Sequence, residues 1–283
     1  TIADTLRSLL AQTYTNFVIK VVDNASTDGT LNVITQFMDP RISILRHETN
    51  IGGEGNFNRC IEYAAGDYTA IFHADDIYGP DMVKEQVAMF LADAHVGAVF
   101  VEARIIDEEG KAIGAITRPS KYEGDSPVIE FEKIFRAVMR NGNFLVCPSA
   151  MLRTEIYQQD IKRYRSEMFG SSADLDVWLR VARQHSIAIL PHKLINYRMS
   201  KTQGSHEINR LRTGRADFFR VIDHYLDDPK VNAFITEDDR KHYGWLQRTD
   251  RLVRAVNHAS RGDTRMVRVL CADSCSRDAM DAA

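Results

Sequence analysis

Apolar side chains recur at helical spacing over residues 2–10, and the chain then passes through Gln12 and Tyr14 into a β-branched run at Val18, Ile19, Val21 and Val22. The pattern predicts a helix followed by a strand. The next stretch, Asp23-Asn24-Ala25-Ser26-Thr27-Asp28-Gly29-Thr30, is polar and rich in turn formers, and it ends where Leu31, Ile34 and Phe37 open a new helical period. A second strand over 42–45 leads into Asn50-Ile51-Gly52-Gly53-Glu54-Gly55-Asn56 and a helix through Cys60, Ile61 and Ala64 that Gly66 closes. A third strand, over 68–72, runs directly into His73-Ala74-Asp75-Asp76, with Pro80 at the first turn of another helix, and a fourth covers 96–101.

This alternation predicts an α/β fold built on a mostly parallel, Rossmann-like sheet with helices on both faces. In such a sheet the ligand site lies at the carboxyl ends of the strands, so the three polar loops are expected to converge on one edge. Sheets of this kind open on a strand; a chain that opens on a helix is expected to lack the first one. From residue 105 the pattern changes. A turn at 107–110 and an exposed loop at 117–127 precede an amphipathic helix at 128–140. The segment 143–153, a helix at 174–183 and short strands at 187–190 and 194–198 follow, and a helical tail starts at about 208. The expected organisation is therefore one half over 1–104, a second half of the same domain over 105–207, and a helical C-terminal extension over 208–283.

A chain of 283 residues suits one large domain with an appendage. With 36 basic and 39 acidic side chains and a net charge of −3, general nucleic-acid binding is not expected. The sequence shows neither a long apolar span nor a basic-then-apolar leader, and this suggests a cytoplasmic protein. Cys60, Cys147, Cys271 and Cys275 are scattered and read as unpaired thiols.

The candidate chemistry sits on the loops. Asp75 and Asp76, beside His73 at the end of a buried strand, offer hard oxygen ligands suited to Mn²⁺ or Mg²⁺. An Asp-Asp pair before Pro also suits a helix N-cap, and the loop from 23 to 30 also suits an ordinary turn. No single loop decides between these readings.

Taken in order, the loop at 23–30, Asn50-Ile51-Gly52-Gly53 and His73-Ala74-Asp75-Asp76 resemble successive signatures of family 2 glycosyltransferases. The resemblance continues at 143–153, at Ala173-Asp174-Leu175-Asp176-Val177-Trp178-Leu179-Arg180 and at Tyr197-Arg198, so it covers roughly residues 1 to 205. It implies an A-type nucleotide-sugar fold in which 1–104 binds the donor and 105–207 supplies the acceptor side and the catalytic base. By that resemblance Asp23 accepts hydrogen bonds from the donor base, usually uracil, while Asn50, Gly52 and Gly53 line the nucleotide and His73 lies near the ribose. Asp75 binds the metal, with Asp76 a further candidate ligand, and Asp174 is the general base. The family usually has Asp where His73 stands and Glu where Ala173 stands. It often has a His where Ser200 stands, and His206 is the candidate substitute for that missing metal ligand. Asp176 and Trp178 read as structural.

The implied reaction is inverting transfer from a UDP-sugar to a hydroxyl of a glycan or lipid-linked acceptor. Lys201, Arg210, Arg212 and Arg215 are a candidate for contact with the phosphates of a lipid-linked acceptor or with the inner face of a membrane, or else a solvated helix face. Two other readings compete: a silent nucleotide-binding module, suggested by the His73 and Ser200 departures, and a nucleotidyltransferase, which would carry a glycine-rich basic loop that this sequence does not show.

Overall fold

A computed structural model of the chain describes residues 1–119, 126–200 and 211–272. The first part runs α1 (Ile2–Leu10), β1 (Ile19–Asp23), α2 (Thr30–Ile34), β2 (Ile42–Arg46), α3 (Gly52–Glu62), β3 (Tyr68–Ala70), β4 (Ile77–Tyr78), α4 (Met82–Ala92) and β5 (Val96–Ile106). Then come β6 (Ala112–Ile116), β7 (Val128–Ile129), α5 (Phe131–Asn141), β8 (Met151–Arg153), α6 (Ser166–Phe169), α7 (Ala173–Ala182) and β9 (Ser186–Arg198). Four helices end the described chain: α8 (Asp217–Leu226), α9 (Pro229–Phe234), α10 (Glu237–Ser260) and α11 (Thr264–Ala272).

Strand β5 is the spine, because residues 96–101 are all buried and neighbours cover both of its faces. Successive strand side chains point to opposite sides. Ala98 and Phe100, with Ile187 and Ile189 of β9, pack against α5 and α7, where Trp178 meets the Phe100 ring edge-on at 5.2 Å. Val99, with Ala188, packs against Val83, Val87 and Phe90 of α4 on the other face. Phe219, Ile222 and Tyr225 of α8 and Tyr243 of α10 belong to the same buried cluster as Trp178, and the expected division at 104/105 falls inside β5.

The α/β class and the helices on both faces agree with the sequence pattern, but the sheet is mixed. β1 and β2 form a parallel pair of their own, and the larger sheet runs β3-β8-β5-β9-β4, with β6 on β5 and β7 on β9. Of the seven described pairings only β1–β2 and β5–β9 are parallel. Apolar alternation reports burial and is blind to strand direction, so strands of two to five residues that pair antiparallel look the same in sequence as parallel ones.

The two strands expected at 187–190 and 194–198 are one strand, β9. Pro191 does not break it, because the ladder with β5 shifts register between Val101 and Ala103, and a bulge absorbs the residue that cannot donate. Val128 and Ile129 pair with β9, so the helix predicted from 128 starts only after Glu130.

Gly97 is required by packing. A methyl group there would lie 2.6 Å from His185 Cβ and 2.9 Å from Ile156 Cδ1. Gly97→Ala is expected to cost about 1–3 kcal/mol by overpacking, measured by urea unfolding. An unchanged midpoint would contradict this packing.

Candidate active site

The acidic turn is built from three directions. Helix α1 lies against it, with Thr5 Oγ1 donating to the Asp76 carbonyl at 2.7 Å and Gln12 Nε2 to the Gly79 carbonyl at 2.7 Å. The Gln12 Oε1 accepts from the Val83 amide at 3.0 Å. Tyr78 folds back, its hydroxyl accepting from the His73 amide at 2.8 Å. From the end of β9, the Arg198 amide donates to Asp76 Oδ1 at 2.7 Å and its Nε to the Asp75 carbonyl at 2.9 Å. The same guanidinium donates to the carbonyls of Asp107 (3.1 Å) and Glu108 (2.9 Å), tying the turn to the β5–β6 hairpin.

This geometry removes the helix-cap reading of Asp75 and Asp76. They precede β4, and the cap position of α4 is Asp81, whose carboxylate accepts instead from Thr13 Oγ1 at 2.8 Å. Ligand atoms of His73, Asp75 and Asp76 all lie within 4.8 Å of one another. His73 Nε2 and Asp76 Oδ2 are shut from solvent with no hydrogen-bond partner. Buried polar atoms are nearly always paired, so two orphans in one cluster point to a further ligand. An imidazole nitrogen with carboxylate oxygens is a donor set that accommodates a divalent cation such as Mn²⁺. Burial depresses the His73 imidazole against the opposing pull of Asp75, which favours the neutral ring a cation needs. Burial also lifts the Asp76 carboxyl to about 7, against the Arg198 amide, which lowers it.

The first two loops are clasped by asparagines. Asn24 Nδ2 donates to Asn50 Oδ1 at 3.0 Å and to the Gly52 carbonyl at 3.1 Å, and Asn24 Oδ1 accepts from the Ile51 amide at 2.9 Å. Gly52 has φ +79°, a left-handed value that favours glycine, and Gly53 faces open space. Asp23, almost fully buried, is paired with Arg46 Nε at 3.3 Å and accepts from the Ser26 amide at 3.3 Å. Helix α3 links these loops to the third: Asn56 Nδ2 donates to the Val22 carbonyl at 3.3 Å, and the Phe57 ring lies 5.5 Å from His73, edge to face.

Asp174 sits in the first turn of α7, half-buried, with Oδ1 accepting from the Leu175 amide at 2.8 Å. Burial raises its carboxyl to about 6 against that hydrogen bond. Burial pushes the thiol of Cys147, on a 3₁₀ turn after α5, well up, and the charges of Asp174 and Asp76 both add to the rise. Asp176 does not share the site. Its buried carboxylate is bound by Arg165 and Arg180 and accepts from the Tyr225 hydroxyl at 3.3 Å. His206 lies outside the described residues.

Residues 1–160 match the description "Glycosyl transferase family 2". The chain belongs to glycosyl transferase family 2. This family 2 chain is 31% identical over 184 residues to the putative glycosyltransferase EpsE of Bacillus subtilis, an overlap of 64% of the chain and 61% of EpsE. It is 24% identical over 234 residues to the UDP-Glc:alpha-D-GlcNAc-diphosphoundecaprenol beta-1,3-glucosyltransferase WfgD of Escherichia coli, covering 83% and 85% of the two chains. It thus spans 61% of the length of EpsE and 85% of that of WfgD. The fold is shared with S. aureus TarS in complex with UDP-GlcNAc, at a TM-score of 0.57 and 16% identity over 95% of this chain and 86% of that one. It is shared also with the mannosyltransferase PcManGT from Pyrobaculum calidifontis in complex with GDP-Man and Mn²⁺, at a TM-score of 0.60 and 15% identity over 99% and 78%.

The sequence pattern places His73 at the site, near the ribose, and the structure sets its ring with the two carboxylates. The pattern gives Arg198 no role beyond its motif, and Cys147 none beyond an unpaired thiol. A buried Arg in a β-strand, 7% exposed, is the signal for Arg198, but burial was not legible before the sheet was assembled.

Proposed function

We propose that the chain transfers a sugar, with inversion, from a UDP-sugar to an acceptor hydroxyl in glycan or polysaccharide synthesis. The observation that carries this reading is the His73, Asp75 and Asp76 cluster with its two orphaned polar atoms. Family membership supports it, as do a relative whose name specifies UDP-Glc and a protein of the same fold solved in complex with UDP-GlcNAc. In this reading residues 1–104 hold the donor, 105–207 form the acceptor side, and 208–283 are an extension. Asp23 receives the base, and the Asn50, Gly52 and Gly53 loop lies along the nucleotide. His73, Asp75 and Asp76 would hold Mn²⁺ or Mg²⁺, with His206 a further candidate ligand. The ion would supply positive charge for the leaving diphosphate. Asp174 accepts the proton of the acceptor hydroxyl as that oxygen attacks the anomeric carbon. WfgD's name supports a lipid-linked diphosphate acceptor, which would place the reaction at the inner face of a membrane.

The test is calorimetric titration of UDP with and without Mn²⁺. Wild type is expected to bind UDP more tightly with Mn²⁺, and Asp75→Ala to lose that metal-dependent gain. Tight binding by the variant with Mn²⁺ would remove Asp75 from the site. Binding in wild type without any sugar transfer would favour the silent nucleotide-binding module.

A further inference from the structure

The C-terminal helices leave an apolar face open. Along α10, Trp245, Leu252 and Val256 recur at the spacing of one helical stripe and are 65%, 52% and 67% exposed. The other side of the helix carries the buried Tyr243, Asp250 and Asn257. Val269, on the neighbouring α11, is 51% exposed. Single apolar residues on a surface are ordinary, whereas a run along one helix face marks a docking surface.

Beyond the first turn of α10, which carries Glu237, Asp238 and Asp239, the sequence along these two helices is mostly cationic, although Arg254 is 16% exposed and bound to the buried Asp250. From residue 245 to 272 the sequence has Arg248, Arg251, Arg254, Arg261, Arg265 and Arg268 against only Asp250 and Asp263, in a chain whose net charge is −3. Both carboxylates have internal cationic partners: Asp250 binds Arg212 at 2.6 Å and Arg254 at 2.9 Å, and Asp263 contacts His258 at 3.0 Å. Arg248, Arg265 and Arg268 have no carboxylate partner among the described residues. In the cluster singled out in the sequence, Arg212 pairs with Asp250 and Arg215 with Asp223, while Lys201 and Arg210 lie outside the described residues. Among those residues no helix is long and apolar enough to cross a membrane.

We propose that the α10–α11 face docks the protein on an anionic bilayer surface. Trp245, Leu252 and Val256 enter the boundary between headgroups and acyl chains, and the arginines meet lipid phosphates. An apolar stripe flanked by cations suits such a surface, because binding there sums buried apolar area and attraction to anionic lipid. Packing two copies of this face together would gather like charges around the stripe, so the charge pattern favours the bilayer over a second copy. The proposal does not rest on the transferase reading.

The test uses vesicles of phosphatidylcholine, alone or mixed with phosphatidylglycerol. The chain has two tryptophans, and Trp178 is fully buried, so a blue shift of emission on adding mixed vesicles reports Trp245. The shift is expected with mixed vesicles and not with the neutral ones. In co-sedimentation, Leu252→Ser with Val256→Ser, and separately Arg248→Gln with Arg265→Gln and Arg268→Gln, are each expected to reduce partitioning by about tenfold or more. Thermal unfolding and UDP titration of these variants should match wild type, which separates loss of docking from misfolding and from failure of the donor site. Undiminished partitioning in both variants, equal binding to neutral vesicles, or self-association through the stripe without vesicle binding would overturn the proposal.

Discussion

Asp174→Asn is expected to slow sugar transfer by about a thousandfold while leaving UDP binding intact, because the amide cannot accept the acceptor's proton but keeps the shape of the side chain. The rest of α7 should be undisturbed: Asn still offers an oxygen to the Leu175 amide, and the buried ion pairs of this helix belong to Asp176. The pH profile of wild type follows from the same environment. Burial raises the Asp174 carboxyl to about 6, and the base works only when ionised, so kcat/KM should fall about tenfold per unit as the pH drops below that value. The profile is best measured at saturating divalent cation, since Asp76 is raised to about 7 without one and would add its own titration. Turnover by Asp174→Asn at the wild-type rate would refute the assignment, and so would a wild-type profile flat through pH 6.

The second large effect concerns stability. Asp239 is fully buried at the start of α10, where its carboxylate closes a reciprocal cap with Thr236: the Thr236 amide donates to it at 2.9 Å and the hydroxyl at 2.6 Å. It also binds Arg136 Nε at 2.9 Å and the Nε of Arg140, both on α5. Burial by itself would raise this carboxyl, but Thr236 and the two arginines outweigh it and bring it down to about 2. Asp239→Ala removes the carboxylate half of the cap and one partner from each arginine, while Arg140 keeps Asp238 at 2.8 Å and Arg136 keeps Glu132 at 3.7 Å. Arg136 and Arg140 are 32% and 25% exposed, so water softens the loss, and about 3 kcal/mol, the low end for breaking a buried pair, is expected. Because the folded carboxyl is depressed, its contribution is complete above the ordinary carboxylate range and is lost as the pH falls from about 4 towards 2. Urea unfolding of wild type and variant at neutral pH and near pH 2 measures both statements. A difference that persists undiminished at the lower pH would mean that the carboxylate's charge is not what stabilises the clamp.

The sequence was informative wherever a signal is local. Helical spacing over 2–10 gave α1, the apolar run over 96–101 gave the spine strand, and the polar stretches after β1, β2 and β3 gave the three loops of the candidate site. Asp176 reads as structural because a residue two places after Asp174 on a helix points elsewhere, and Trp178 because it stands among the apolar Val177 and Val181; both are fully buried. Strand direction was not legible, nor was the continuity of β9 through Pro191, because pairing partners lie far apart in the chain and alternation is the same for either direction.

The sequence by itself determined the family, the α/β class and the residue types on the loops, since these rest on short contiguous motifs. The tertiary structure decided which of those residues meet. It put the His73 ring with two carboxylates, brought Arg198 to Asp75 and Asp76 across more than 120 residues, and buried Cys147 where the charges of both Asp76 and Asp174 raise its thiol. It also raised Asp174 to about 6 and Asp76 to about 7. Those shifts come from desolvation, a property of what surrounds a group in space, and no spacing along the chain encodes it.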